Sequence, residues 1–215
     1  MASDLLSLAA ASSLLGVSSE RVRQLVVAGD IPGVRFGNAW AVPRDSIDAR
    51  RQVSNRRGRP LSADRAWESI AAGDVDLSNI SRYRNRGQVH RYEMSAADLA
   101  FVSGQDRTMV SGVKAAQEFG ELLAPVDVQA DLYVAASLHV ELGSMVALVP
   151  DQLGAIAIRV VSEGVWSKIE SLDLQQDGDG RRLAPRAAVA LDLMESGDPR
   201  HWVAAENLIA GVVKK

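Results

Sequence analysis

The chain has 215 residues, 47% of them hydrophobic, and 24 Lys and Arg stand against 27 Asp and Glu for a net charge of −3. That length and apolar content suffice for a real core and for two or three small domains. Cysteine is absent, which excludes disulfides and thiolate metal sites, and no basic start with an apolar core or apolar run of spanning length occurs, so a cytoplasmic protein without a membrane partner is expected.

The charge is unevenly distributed. Residues 1–92 hold 14 Arg and 9 acids, net +5, whereas residues 93–215 hold 10 Lys and Arg and 18 acids, net −8. A basic first half raises local affinity for phosphate and releases counterions on binding. The acidic second half would be repelled by a duplex and is expected to face something else.

Leu8, Ala11, Leu14 and Leu15 repeat at helical spacing, which predicts a helix over 7–15 ended by Gly16 in the left-handed conformation. Ser18 is a good N-cap for a second helix with Val22, Leu25 and Val26 inward. Glu20, Arg23, Gln24 and Val27 then point outward, with Arg21 on the flank. An exposed Arg-x-Arg-Gln can hydrogen-bond purine edges or phosphates from the major groove. The helix is expected to stop near Ala28 and Gly29. Ile31-Pro32-Gly33 leads into alternating Val34, Phe36, Trp40 and Val42 around the hairpin turn Gly37-Asn38, and 43–51 resumes helix.

The run SLAAASSLLGVSSERVRQLVVAGDIPGVRFGNAWAVPRDSIDA, about a fifth of the chain, resembles the winged helix-turn-helix of the excisionase and MerR-like group. The resemblance implies that a helix reads the major groove while a short wing grips the neighbouring backbone. Carried onto this sequence, Arg21, Arg23 and Gln24 are groove-facing contacts, with Ser19 near the helix start. Arg35 and Asn38 are wing contacts to phosphate, although many relatives carry a basic residue where Asn38-Ala39-Trp40 stands.

Residues 52–60 are polar and without helical period, and read as a linker. Within it, Arg57-Gly58-Arg59-Pro60 looks like the core of a minor-groove hook; the alternative is a solvated basic linker, which would still add phosphate contacts through Arg57 and Arg59. From Ser62 the pattern turns helical, with Ala66, Trp67 and Ile70 inward, and a second polar helix is expected over 77–86. Arg82, Arg84, Arg86 and Arg91 either extend a DNA footprint or form a solvated face.

Farther on, Val128, Ala130, Leu132 and Val134 alternate as a half-buried strand, 155–161 reads as a more buried strand, and 145–149 as a third. Helices are expected over 111–119 and 137–142. Pro185 suits the first position of a helix over 185–196 with Gly197 at its exit. Asp198 then caps a last helix whose inward stripe is Trp202, Ala205, Ile209 and Val212. Trp67, Trp166 and Trp202 read as core anchors rather than base-stacking platforms. A small mixed sheet with packed helices follows, an α+β arrangement.

The segments GRPLSADRAWESIAAG, QADLYVAASLHVELGSMVALVP, AIAIRVV and LAPRAAVALDLMESGDPRHWVAAENLI resemble the AbiEi-like antitoxins of type IV toxin-antitoxin systems. The likeness runs from Gly58 nearly to the end. It implies a DNA-binding domain that represses the antitoxin's own operon, and a C-terminal domain that counteracts a nucleotidyltransferase toxin.

Catalytic patterns do not appear. His90, His139 and His201 lie far apart without metal-ligand spacing, and there is no phosphate-binding Gly-rich loop or Gly-x-Ser-x-Gly elbow. Asp177-Gly178-Asp179-Gly180 lacks the distal bidentate Glu of a calcium loop and reads as a turn. Gly143-Ser144 precedes no paired Asp-x-Asp, so the chain does not look like the toxin itself. The expectation is a non-enzymatic α+β protein without cofactor or metal: a winged helix-turn-helix at 1–52, a basic linker at 53–61, and an antitoxin-like domain at 62–215 with a helical part 62–92 and an α+β part 93–215. Its expected partners are operator DNA, a toxin and a second copy of the chain. Two rivals are an architectural excision factor that bends DNA for a recombinase, and a protein-binding antitoxin with a vestigial helix-turn-helix.

Overall fold

A computed structural model describes residues 5–29, 31–53, 59–124, 130–196 and 198–213. The chain is α+β and builds two separate hydrophobic cores.

The first core belongs to a small N-terminal unit formed by β1 (Leu5–Ser7), α1 (Leu8–Leu15), α2 (Ser19–Val27), β2 (Val34–Phe36), β3 (Ala39–Pro43) and α3 (Arg44–Val53). The strands form an antiparallel sheet in the order β1-β3-β2. Strand β1 is an addition to the elements legible in the sequence: its three residues pair with Ala41–Pro43, while Ser7 caps α1 by accepting a bond from the Ala10 amide. Ala11, Val22, Leu25, Val26, Ile31, Val42 and Ile47 are buried together. Gly33 lets β3 close on α2, since a Cβ there would lie 2.6 Å from Val26 Cγ1 and 3.3 Å from the Ala41 carbonyl oxygen.

The hairpin forms around Gly37 and Asn38 as expected. Across the two-residue turn Arg35 pairs with Trp40, and Phe36 with Ala39. Cross-strand partners share a face and successive residues alternate. Arg35 therefore lies on the face of Trp40 and Val42, whereas Val34 and Phe36 lie on the opposite one.

The larger unit contains α4 (Ala63–Ala71), a 3-10 segment (Leu77–Arg86), β4 (Gln88–Glu93), α5 (Ala96–Ser103), β5 (Thr108–Ser111), α6 (Gly112–Glu118), β6 (Ala130–Ala135), α7 (Ala136–Met145), β7 (Val149–Pro150), β8 (Ile156–Val161), α8 (Glu163–Ile169), α9 (Arg186–Glu195) and α10 (Pro199–Val213). Its five strands run in the order β5-β6-β8-β4-β7, with β6 and β8 parallel and the other pairs antiparallel. Residues 62–92, read as helical, thus end in a strand that joins this sheet. The polar run 77–86 is a 3-10 segment with a kink at Asn79 rather than a regular helix. Residues 145–149 do not form the expected third strand: α7 runs through Met145, and only Val149 and Pro150 pair, at the sheet edge.

Val128 lies outside the described residues, but β6 itself is more enclosed than its alternation suggested, with Leu132, Tyr133, Val134 and Ala135 all buried. Neighbours on both edges and helices over it remove the solvent face. Helix α9 is buried through Ala187–Leu193 and packs against α10, α6, α4, β5 and the 3-10 segment. A helix apolar on every side can be stable only at such a centre. Pro185 occupies its N-cap position rather than its first helical turn, and Gly197 lies outside the described residues. Asp198 accepts from the Arg200 amide as expected for the cap of α10, and Ala205 is buried; the Val212 side chain is outside the described set. Trp67 and Trp166 are core residues, while Trp202 is half-buried with a buried indole N–H that finds no partner among the described residues.

The centre of this unit is charged. The fully buried Arg86 donates from Nη2 to Asp192 at 2.7 Å, from Nη1 to Glu195 at 2.9 Å and to the Tyr83 carbonyl at 3.2 Å, and from Nε to Tyr133 at 2.9 Å. Arg159 completes the group from β8, with Nη2 2.6 Å from Glu195. Its Nε stands 2.9 Å from Asp192 as a charge contact without hydrogen-bond alignment. Ser111 and Tyr133 also donate to Asp192, at 2.5 and 3.0 Å. Burial alone would raise the Glu195 carboxyl, but Arg159 and Arg86 hold it at about 2. Arg86 is therefore neither a DNA contact nor part of a solvated face: two carboxylates from α9 draw it inside.

Candidate nucleic-acid interface

The recognition helix is set by local chemistry. Gly16 ends α1 at φ 65°, a left-handed conformation that glycine adopts without steric cost. Ser18 turns the chain into α2, its hydroxyl accepting from the Arg21 amide at 3.1 Å. The capping residue is thus Ser18; Ser19 stands one position inside, where its hydroxyl meets that of Ser12 at 3.1 Å and ties the two helices.

With Val22, Leu25 and Val26 turned inward, Ser19, Glu20, Arg21, Arg23, Gln24 and Val27 are exposed. Nothing among the described residues covers this face. Glu20, Arg23, Gln24 and Val27 fall at i, i+3, i+4 and i+7, one straight stripe along the helix. Its two charges are already paired, with Arg23 donating Nε and Nη2 to the Glu20 carboxylate at 2.8 and 2.7 Å; beside the stripe, Arg21 Nη1 donates to the neutral Gln24 carbonyl oxygen at 3.3 Å. The bidentate bond lowers the Glu20 carboxyl and raises the Arg23 guanidinium from their ordinary values.

This pairing has a chemical consequence. Exposed ion pairs are weak and screened, so a phosphate or base edge can exchange with Glu20 at small cost, while the carboxylate itself opposes indiscriminate phosphate binding. The bond to Arg23 adds Glu20, which the sequence places outward, to the candidate site. The i,i+3 spacing of opposite charges was the available signal.

The wing carries the other two predicted contacts. Arg35 folds over the turn, donating Nε to the Gly37 carbonyl at 3.0 Å and Nη2 to Asn38 Oδ1 at 3.5 Å. Both side chains are exposed and close together, which braces the tip. Arg57 lies outside the described residues, and Arg59 is exposed. Of the arginines considered for a wider footprint, Arg84 is exposed and Arg82 half-buried. Arg91 is half-buried and donates to the Gly154 carbonyl at 3.3 Å, which assigns it to holding the sheet edge rather than to a solvated face.

Asp177 organises its turn by accepting from the Asp179 and Arg181 amides at 3.0 and 2.8 Å, with Arg181 and Lys114 near its second oxygen. Two cations there oppose a third, so the turn reading of 177–180 fits the surroundings better than a calcium loop. No group of three or more His, Cys, Asp or Glu among the described residues is arranged to hold a metal, and no helix among them is long and apolar enough to cross a membrane.

Comparison with curated proteins and with solved structures finds no match. Residues 5–52 match a protein family described as a helix-turn-helix domain, and this segment contains the exposed helix and wing described above. The N-terminal unit is a helix-turn-helix domain, and it marks the chain as a DNA-binding regulator.

Proposed function

We propose that the chain is a sequence-specific regulator that binds operator DNA through α2 and its wing, and serves as antitoxin and autorepressor in an operon that also encodes a nucleotidyltransferase toxin. The observation that carries the DNA part is the uncovered α2 stripe on a helix whose other side is locked into its own core. The antitoxin part rests on the resemblance of the segments between Gly58 and Ile209 and on the acidic balance of residues 93–215. A dimer would place two recognition helices about one DNA turn, ~34 Å, apart on a two-fold operator.

Two measurements test the two parts separately. Arg23→Ala should weaken operator binding by roughly 1–3 kcal/mol if the guanidinium meets a base edge; unchanged affinity in a gel-shift titration at fixed salt removes Arg23 from the contacts. Deleting residues 1–55 should abolish promoter repression and leave rescue from the toxin intact. Unchanged repression would make the helix-turn-helix vestigial, and dependence of a recombinase on the full chain would favour the excision-factor reading.

A further inference from the structure

Phe36 ends β2 at the tip of the wing and is 60% exposed, outside the N-terminal core. The register explains why. Pairing with Ala39 puts it on the face away from Trp40 and Val42, and its neighbours there are the half-buried Val34 and the small Ala39 and Ala41. Among the described residues the ring is not part of the buried core of its own unit.

We propose that Phe36 is a wedge that enters a base step in the minor groove beside the segment read by α2 and kinks the duplex there. Large apolar side chains inserted between base pairs unstack them and bend the duplex toward the major groove. The surroundings suit that task. Arg35 bonds across the turn to Gly37 and Asn38, so the tip is braced before it meets DNA, and the two side chains supply polar groups at the turn, Arg35 from the opposite face of the hairpin, suited to the phosphates and groove edges. Gly37, at φ 59° with nothing within 4 Å of a Cβ position, presents bare backbone where the sugar-phosphate chain must approach closely.

A second protein fits this site poorly. A stable protein interface covers about 800 Å² per partner, whereas an aromatic side chain supplies roughly 150–250 Å² even when fully buried. One ring beside the half-buried Val34 and two alanines, with Leu5 farther along the same face, falls well short, but it matches the gap opened between two base pairs.

The proposal rests on the DNA-binding reading of α2, and the experiment separates the two. A duplex enriched from random sequences on the full chain is labelled at both ends for energy transfer, and 2-aminopurine is walked through the steps flanking the protected site. Binding should shorten the end-to-end distance and brighten 2-aminopurine at one flanking step. Phe36→Ala should lose both signals and about tenfold in affinity, the scale of one lost base-aromatic stack. Phe36→Leu should keep most of the bend. A bound but straight duplex, or a bend that survives Phe36→Ala, overturns the wedge while leaving α2 as reader. A Phe36→Ala variant that keeps the bend but changes sedimentation overturns it in favour of a contact between copies. Failure to enrich any duplex overturns the DNA-binding reading itself, and the wedge with it.

Discussion

Replacing Arg86 by methionine discriminates between an interior cation and a DNA contact. The side chain is fully buried, and its guanidinium bonds Asp192, Glu195, Tyr133 and the Tyr83 carbonyl. With Arg159 the cluster balances two cations against Asp192 and Glu195; removing Arg86 leaves one uncompensated negative charge beside the fully buried Asp192, while Glu195 keeps about a third of its side chain exposed. Breaking a buried pair in this way costs about 3–5 kcal/mol. Methionine fills much of the vacated volume, and Ser111, Tyr133 and Arg159 still serve Asp192, which places the expected loss near the lower end, about 3 kcal/mol out of a typical 5–15. Urea unfolding followed through Trp67 and Trp166 should show a midpoint lowered by about 1–3 M at an unchanged slope. Adding Asp192→Asn should recover part of the loss by restoring charge balance. Affinity for DNA, measured where the variant is folded, should not change. A midpoint shift corresponding to less than about 1 kcal/mol, accompanied by weakened DNA binding, would falsify the interior assignment, since solvent-facing substitutions usually fall within about 0.5 kcal/mol.

Gly33→Ala should destabilise the N-terminal unit by about 1–3 kcal/mol and abolish DNA binding near its melting temperature, because the new methyl group would overlap Val26 Cγ1 and press on the Ala41 carbonyl; hydrogen exchange should show α9 as protected as before, and exchange rising equally in α9 would contradict the separation of the two cores. Asp131 provides a pH prediction. Burial, and then repulsion from Asp192, raise its carboxyl from 3.8 to about 6, so the folded chain holds this proton more tightly than the unfolded one. Its contribution to stability is full below about pH 4 and is lost as pH rises through about 6. Asp131→Asn should therefore gain on the parent across that window, by at most roughly 3 kcal/mol above it. Denaturant melts of the two proteins that stay parallel from pH 4 to 7 would refute this. Arg84→Ala should reduce the salt dependence of DNA binding by a slope of about 1 if the exposed 3-10 segment reaches phosphate; an unchanged slope assigns Arg84 to solvent.

Much of the N-terminal unit was legible because its determinants are local. The Gly16 stop, the Ser18 cap, and the Val22, Leu25 and Val26 stripe act over a few residues, and together they determine that Arg21, Arg23 and Gln24 face outward. The same holds for the start of α10, which Asp198 caps by accepting from the Arg200 amide. Sequence says less where a residue's environment depends on pairing. Phe36 and Trp40 are both apolar and close in sequence, and only the hairpin register separates their faces.

The larger unit shows the stronger limit. Gln88–Glu93 contains Gln, His, Arg and Glu and does not advertise a strand, yet it hydrogen-bonds β8 along nearly its whole length, a pairing that lies some 70 residues away in the chain. Arg86 sat in an arginine run that suggested solvent or phosphate, and its burial depends on Asp192, 106 residues distant. Sequence by itself determined α1, α2 and α10, the Ser18 and Asp198 caps and the outward stripe of α2, because hydrogen bonds within a turn and apolar periodicity are short-range. Tertiary structure alone decided which arginine stays outside and which goes in, because the desolvation cost of a guanidinium is offset only where distant carboxylates are brought to meet it.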